Sequence, residues 1–166
     1  MKHLDLHTTF ISLVKEHERI IFKVCYLYAD NDADRQDLYQ EIVIQVWKGY
    51  QKFRGDSKFS TWLYQVAINT AMTGFRKEKR SPLTRGPDGK VPDVADVNFG
   101  EQETEQLEQL YSAINQLNDI EKALVMLYLD GKSYEEMENI MGITNGALRV
   151  KMTRIKEKLR QLTKSK

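Results

Sequence analysis

The sequence predicts an all-α protein made of two small helical domains joined by a flexible linker. Apolar residues recur at spacings of three and four on both sides of the middle of the chain, and strand-like alternation between turns is missing. The three prolines, Pro82, Pro87 and Pro92, all fall within one acidic stretch near the middle. With 166 residues, 41% of them hydrophobic, the chain is long enough to bury two small cores.

The first domain, residues 1–80, is predicted to contain three helices. One apolar face runs from Phe10 to Val24 and predicts a first, continuous helix. The Asp30-Asn31-Asp32 break follows it, and Asp32 or Asp34 is expected to cap a second helix that continues to about Tyr50.

Aromatic and basic residues surround a Gly-Asp-Ser turn in the next segment, KFRGDSKFSTWLYQVAINT, which spans Lys52 to Thr70. A third helix is predicted to begin near Ser60 or Thr61 and to end in the basic stretch of residues 76–80. The rings either pack the helices together or bind something planar and negatively charged. The residues alone leave both interpretations open.

A linker is predicted for residues 81–105. Besides the prolines, this stretch contains Gly86, Gly89 and Gly100, and its acidic residues outnumber its basic ones. Proline, glycine and mutually repelling carboxylates do not favour a packed core. The stretch therefore separates the two domains.

The second domain, residues 106–166, ends in the pattern of a helix-turn-helix. Two helices, over residues 105–117 and 119–129, precede GKSYEEMENIMGITNGALRVKMTRIKEKLRQL. Ser133 and Glu136 form a capping box. Gly142 ends the short helix that the box opens, and Thr144 can cap the next helix. A short helix, a Gly-containing turn and a longer basic helix are typical of DNA-binding domains.

The last helix is predicted to have a buried and an exposed face. Apolar residues follow a 4-3-4-3 pattern from Leu148 to Leu162, which predicts the buried stripe. At about 100° per residue, the side away from that stripe carries Asn145, Gly146, Arg149, Val150 and Thr153. Arg149 can donate two hydrogen bonds to guanine, and Val150 offers a methyl surface to thymine. The flanking basic residues, expected at phosphates, are Lys151, Arg154, Lys156 and Arg160.

Two blocks of the sequence, in this order, resemble a known family. DLYQEIVIQVWKGYQKFRGDSKFSTWLYQVAINTA, from Asp37 to Ala71, is similar to the N-terminal domain of bacterial RNA polymerase sigma factors of the extracytoplasmic-function type. LDGKSYEEMENIMGITNGALRVKMTRIKEKLR is similar to their promoter-reading helix-turn-helix. The resemblance covers nearly the whole chain and implies a transcription initiation factor that directs core polymerase to specific promoters.

In the first domain, the resemblance implies a polymerase contact and a base pocket. The stripe expected to bind the clamp helices of the polymerase β′ subunit comprises Asp37, Gln40, Glu41, Ile44 and Trp47. Trp47 belongs to this interface or to the core, with the core favoured. The loop from Phe53 to Phe59 is expected to capture a base flipped out of the minus-ten element. The full minus-ten set is Phe53, Arg54, Gly55, Asp56, Ser57, Lys58, Phe59, Trp62, Asn69, Arg76, Lys77, Lys79 and Arg80. For Trp62, a place in the pocket and a place in the core are equally expected.

In the second domain, the resemblance implies recognition of the minus-thirty-five element. The expected residues are Ser133, Thr144, Asn145, Gly146, Arg149, Val150, Lys151, Thr153 and Arg154. The family often has a small polar residue where this chain has Val150, and usually an arginine where it has Lys151. The preferred DNA sequence therefore stays open.

The implied partners are core RNA polymerase, through its β′ clamp and β subunits, promoter DNA and an anti-sigma factor. Neither a cofactor nor a small-molecule substrate is expected. The longest apolar runs are far shorter than the roughly 18 residues of a membrane span, so membrane insertion is not expected. The lone Cys25 agrees with a cytoplasmic protein.

Other functional classes explain less of the sequence. An enzyme is disfavoured because there is no P-loop, no GxGxxG motif and no recognisable nucleophile with a base. His3 and His7 are four residues apart, but no Cys or Glu pattern completes a metal site with them. A regulator that binds operators without polymerase leaves residues 37–71 unexplained. A helical interaction module without a DNA role does not account for the basic face.

Overall fold

The computed structural model describes residues 2–74 and 101–164, and side chains for residues 5–73 and 105–164. These residues form two compact units, an N-terminal unit and a C-terminal unit. Every regular element in the described ranges is helical, which confirms the predicted all-α class and its two helical domains. None of the described helices is both long and apolar enough to cross a membrane.

In its described residues, the N-terminal unit consists of four α-helices and a short π-helical turn. The helices are α1 (Lys2–Glu16), α2 (Glu18–Tyr28), α3 (Asp32–Tyr50) and α4 (Phe59–Asn69), and the π-helical turn is Thr70–Gly74. Helices α2, α3 and α4 pack around fully buried side chains, among them Val24, Leu38 and Leu63. Helix α1 adds Phe10, whose ring centroid lies 4.8 Å from that of Trp47 in α3.

The apolar face from Phe10 to Val24 is carried by two helices, so the prediction of one continuous helix is wrong. The backbone leaves helical geometry at His17, where φ is −110° and ψ is 17°. The His17 ring nitrogen Nδ1 lies within hydrogen-bonding distance of the Leu13 carbonyl, at 3.0 Å. The His17 side chain thus contacts a carbonyl oxygen of the preceding helical turn. The apolar periodicity continues across the break, so the sequence pattern does not indicate where α1 ends.

Helix α3 is capped by Asn31, and not by Asp32 or Asp34 as the sequence suggested. The Asn31 side-chain oxygen accepts a 2.8 Å hydrogen bond from the Asp34 amide. Asn31 has extended backbone geometry, whereas Asp32 is already helical. A cap must lie just outside the helix, so the start of the helix decides which of these polar residues can serve.

The C-terminal unit contains four helices in its described part. They are α5 (Glu101–Asn115), α6 (Asp119–Leu129), α7 (Tyr134–Met141) and α8 (Asn145–Lys164). Helix α5 begins at Glu101 and so includes residues 101–105, which the sequence placed in the linker. Acidic residues stabilise a first helical turn by opposing its dipole. Residues 81–100 of the predicted linker lie outside the described residues.

The core of the C-terminal unit lies between α8 and the three preceding helices. Ile114 of α5 is buried, and Leu124 of α6, Met137 of α7 and Leu148 of α8 are completely so. Helix α8 packs against α5, α6 and α7. One side of α8 is therefore committed to the core, and its opposite side is available to a ligand.

Candidate nucleic-acid interfaces

The predicted capping box opens the helix-turn-helix. The Glu136 amide donates to Ser133 Oγ at 3.1 Å, and the Ser133 amide donates to Glu136 Oε2 at 3.2 Å. Helix α7 ends at Gly142, whose φ of 70° lies in the left-handed region that glycine adopts at least cost. Both ends of α7 are therefore fixed where the sequence predicts.

Helix α8 begins with two side-chain contacts to its backbone. The Ala147 amide donates to Thr144 Oγ1 at 3.4 Å, which confirms the predicted cap. Glu138 of α7 adds a contact that the sequence did not reveal, because its Oε2 accepts from the Asn145 amide at 3.1 Å. These bonds satisfy amides at the start of α8 and fix its direction relative to α7.

The two faces of α8 separate as the spacing predicts. Leu148, Met152 and Ile155 are buried, which confirms the apolar stripe over these residues. The exposed residues opposite them are named here the recognition face: Gly146, Arg149, Val150 and Thr153. Asn145 is half-buried at the start of the helix. One regular helix thus presents hydrogen-bonding and methyl groups side by side, as a major-groove contact requires.

Arg149 contacts two other side chains of the helix-turn-helix. Its Nε donates to Asn145 Oδ1 at 2.7 Å. Its Cζ lies 4.7 Å from the centroid of the Tyr134 ring. Tyr134 was not among the residues predicted to contact DNA. Its place directly after the Ser133 cap was the available signal, because a capping box fixes the geometry of the first helical residue.

Basic residues continue along the exposed side of α8. The exposed members are Lys151, Arg154, Lys156 and Arg160. The Lys156 ammonium lies 4.4 Å from the centroid of the Tyr128 ring. Farther along, Lys158 forms a 3.3 Å ion pair with Glu121 of α6. The positive charge flanks the recognition face, where phosphates would lie beside a groove.

The aromatic cluster of the N-terminal unit comprises Tyr50, Phe53, Phe59 and Trp62. Phe53 and Trp62 are closest, with ring centroids 4.9 Å apart, and Phe59 lies 5.8 Å from Trp62. All four rings are half-buried. Since they contact each other at these distances, the rings contribute to packing and retain partly exposed surface.

Gly49 of α3 makes the position of Trp62 possible. A Cβ built on Gly49 would lie 2.7 Å from Trp62 Cζ2, closer than a real Cβ approaches another atom. The contact between Gly49 and Trp62 was not predicted from the sequence. The available signal was a glycine inside a helical pattern, which costs helix stability and usually has a packing reason.

The turn beside the cluster points its polar residues into solvent. Residues 54–58 are all exposed, and Gly55 has a φ of 77° in the left-handed region. Asn69 is also exposed, at the end of α4, and its carbonyl accepts a 2.6 Å hydrogen bond from Thr73 Oγ1 in the π-helical turn. The remaining predicted minus-ten residues, Arg76, Lys77, Lys79 and Arg80, lie outside the described residues.

The outer face of α3 carries the predicted polymerase stripe. Asp37, Gln40 and Ile44 are exposed, and Ile44 retains 46% of its surface. Glu41 is half-buried, and its Oε1 accepts from Gln45 Nε2 at 2.9 Å. Trp47 is also half-buried and packs against α1, so neither of its two expected locations accounts for it alone.

Two groups of the N-terminal unit, the buried Cys25 thiol and the half-buried Tyr39 hydroxyl, have raised pKa values. Burial raises the pKa of the Cys25 thiol to about 12. Burial, together with the Glu18 carboxylate to which the hydroxyl donates, raises the pKa of Tyr39 to about 12. Within the described residues, no cluster of His, Cys, Asp and Glu is arranged to bind a metal ion.

Comparison with protein families gives two matches. The family described as Sigma-70 region 2 matches residues 13–81, and the family described as Sigma-70, region 4 matches residues 107–159. The first match covers residues 37–71, which a regulator acting without polymerase leaves unexplained. The two regions also occur in the order that the sequence blocks suggested.

Curated proteins are similar over most of the chain. The ECF RNA polymerase sigma-E factor of Haemophilus influenzae is 30% identical over 159 residues, which cover 89% of this chain and 84% of that protein. The protein of the same name from Escherichia coli is 32% identical, over 75% of this chain and 71% of its own length.

Solved structures share the fold at low sequence identity. The sigma factor RpoE of Bartonella quintana, in complex with the anti-sigma factor NepR, has a TM-score of 0.71 and 19% identity, covering 94% of this chain and 97% of that chain. CnrH, in complex with the cytosolic domain of CnrY, has a TM-score of 0.68 and 18% identity, covering 96% of this chain and 90% of that chain.

Proposed function

The chain belongs to the sigma-70 family, in its extracytoplasmic-function group, and from that premise we propose how its two units divide promoter recognition. As a sigma factor it is a transcription initiation factor, and its regions 2 and 4 bind core RNA polymerase and promoter DNA. The proposal assigns the minus-thirty-five duplex to α8, the opened minus-ten strand to the aromatic cluster and its turn, and the polymerase clamp to α3.

The exposed recognition face opposite a buried stripe on α8 carries this proposal. Arg149 would donate to a guanine edge, and Val150 would contact a thymine methyl group. Lys151 and Arg154 would neutralise phosphates on either side and so position the helix. Because Ser133 and Thr144 cap the two helices, the face enters the groove as a rigid unit.

The minus-ten assignment rests on the aromatic cluster and the exposed turn beside it. The rings are already packed against each other, so the protein offers a preformed stacking surface to a base that has left the duplex. Arg54 and Asp56 in the turn would supply hydrogen bonds to that base. Unstacking costs a few kcal/mol, which stacking and hydrogen bonding must offset.

Helix α3 is assigned to polymerase because its faces differ in the way an interface needs. The carboxylates of exposed Asp37 and half-buried Glu41 lie within two helical turns of the exposed apolar Ile44, on the side away from buried Leu38. Carboxylates around an apolar centre suit a basic partner surface with an apolar patch. The clamp of the β′ subunit is the proposed partner.

We also propose that the chain binds an anti-sigma factor when it is not on polymerase. The two solved structures named above are complexes with a second protein, and in one of them that partner is an anti-sigma factor. Strand opening is proposed to draw on binding energy, without catalysis by this chain. It would act in the cytoplasm, where core polymerase and promoters are found.

Run-off transcription with core polymerase on a promoter library tests the main proposal. The protein should direct initiation at sites that share two spaced elements, and core polymerase alone should not. If the protein leaves core polymerase unchanged but retains duplex DNA by itself, the proposed division is wrong. Arg149→Ala should relax preference at one base pair, whereas Arg160→Ala should weaken initiation on all promoters alike.

The minus-ten assignment has its own test. Asp56→Ala should impair initiation on duplex promoters more than on promoters opened in advance, because the flipped base no longer offsets the cost of unstacking. Promoter opening is followed with a fluorescent base in the minus-ten element. Equal impairment on both templates would count against a role for Asp56 in trapping the opened strand.

A further inference from the structure

We infer that Tyr134 and Asn145 are positioning residues that hold the Arg149 guanidinium for end-on recognition of a guanine. The inference rests on the proposed contact between α8 and the minus-thirty-five duplex. It goes further because it assigns the orientation of the reading group to two neighbouring side chains.

Asn145 determines which Arg149 donors remain available. The 2.7 Å hydrogen bond from Arg149 Nε to Asn145 Oδ1 uses the donor nearest the aliphatic stem. A guanidinium has five N–H donors, and the four on the two terminal nitrogens are left at its far end. Those terminal nitrogens can pair with guanine O6 and N7 together, which is the end-on form of the bidentate contact.

The same hydrogen bond limits what Asn145 can read. Bidentate recognition of adenine by asparagine requires both its amide oxygen and its amide nitrogen. The oxygen of Asn145 already accepts from Arg149, so its orientation is set by that bond and one lone pair is left for an adenine. Asn145 therefore acts through Arg149, although its position alone suggests a direct base contact.

Tyr134 contacts the same guanidinium from the neighbouring helix α7. Arg149 Cζ lies 4.7 Å from the centroid of the Tyr134 ring, within the range of a cation–π contact. Tyr134 is the first residue of α7 and follows the capping box directly, so its own backbone is fixed. The ring belongs to α7 and the arginine to α8, and the contact therefore joins the two helices of the motif at the reading group.

Preorganisation by these two contacts should appear as base discrimination. An exposed arginine with free rotation can meet guanine, another base or a phosphate, which reduces the difference between sequences. A guanidinium held by a hydrogen bond at Nε and by a nearby aromatic ring keeps the geometry that matches O6 and N7. Removing either contact should reduce preference at the Arg149 base pair and change the other positions little.

The test measures initiation by the complete protein with core polymerase on promoters that carry each of the four base pairs at every minus-thirty-five position. Arg149→Ala should lower preference at one base pair by roughly 5- to 150-fold. Tyr134→Leu should lower preference at that same pair by about two- to fivefold, and Tyr134→Phe should retain it because the ring face remains. Asn145→Ala should lower it as well, and this variant leaves Tyr134 intact.

The outcomes separate this inference from the proposed function. If Arg149→Ala changes no single base pair, the assignment of Arg149 as a base reader fails. If Arg149→Ala has its expected effect but Tyr134→Leu and Asn145→Ala weaken all promoters equally, the positioning role is overturned while the reading role stands. Combining Tyr134→Leu with Arg149→Ala should add no further loss at the affected pair, and additive losses would also overturn the inference.

Discussion

The recognition face of α8 and the aromatic cluster are both assigned to bases, but they are built in opposite ways. The recognition face comes from one helix, and Gly146, Arg149, Val150 and Thr153 are all exposed. The cluster combines rings from the end of α3, from the following loop and from the start of α4, and these rings are half-buried against each other.

The difference reflects two physical tasks. A groove exposes its base edges to any rigid surface of the right shape, so a regular helix whose opposite side is packed in the core suffices. A single flipped base needs surfaces on several sides, which only tertiary packing can bring together. Substitutions in the cluster should therefore change stability and function together, whereas substitutions on the recognition face should change function alone.

Truncating a buried side chain of α8 should produce the largest loss of stability. Leu148→Ala should destabilise the C-terminal unit by about 2 to 5 kcal/mol, because it leaves a cavity beneath the recognition face. The matched control, Val150→Ala on the exposed side, should stay within about 0.5 kcal/mol. Urea denaturation followed by circular dichroism measures both, and similar losses would refute the separation of the two faces.

Gly49→Ala tests whether the cluster depends on close packing. The added methyl group would lie 2.7 Å from Trp62, so we expect a loss of about 1 to 3 kcal/mol and a displaced indole. In a Trp47→Phe background, denaturation measures the loss of stability, and tryptophan emission reports the displacement of the Trp62 indole. Trp62→Phe should relieve the clash, and an equal cost of Gly49→Ala with either ring would contradict the proposed contact.

Ser133→Ala tests the capping box of α7, which supports the recognition face, against the turn of the N-terminal unit. Loss of the capping box should cost about 1 kcal/mol, since the Glu136 amide loses its side-chain acceptor. Ser57→Ala is the control in the minus-ten turn, where the exposed hydroxyl contacts only the neighbouring carbonyl of Lys58 at 3.5 Å among its described bonds. Thermal denaturation should give a lower midpoint for Ser133→Ala than for Ser57→Ala, and equal midpoints would argue against the cap.

The last prediction concerns the stability of the N-terminal unit in alkaline solution. It has the smallest effect at neutral pH. The pKa of Cys25 is raised from 9.0 to about 12 and that of Tyr39 from 10.0 to about 12, so the unfolded chain releases these protons first. The resulting stability is complete below pH 9 and should be lost as the pH rises toward 12. Urea denaturation at several pH values measures the loss.

Cys25→Ala provides the control for this dependence. It removes one of the two titrating groups, so stability should fall less steeply with pH above 9 than in the unchanged protein. An identical slope in both proteins would show that Cys25 does not contribute.

Local spacing predicted most of the C-terminal unit. The capping box at Ser133, the end of α7 at Gly142 and the buried residues from Leu148 to Ile155 depend on residues within a few positions of each other. The same reasoning missed Tyr134, because its contact with Arg149 joins two helices. It also missed Glu138, which reaches across the turn to the start of α8.

The N-terminal unit was predicted less completely because its site is assembled from distant segments. The sequence indicated that the rings around the Gly-Asp-Ser turn mattered, but it did not reveal the Gly49 contact that locates Trp62. The break at His17 was hidden because the apolar period continues through it. Such features depend on contacts between helices, which periodicity along one helix does not record.

The separation of the two faces of α8 has an evolutionary consequence. Since Arg149, Val150 and Thr153 are exposed, exchanging them costs little folding energy. Gene duplicates of such a protein can drift through many combinations at these positions while each copy still folds. New promoter preferences can therefore arise in single steps, and a genome can accumulate parallel regulons served by one shared scaffold.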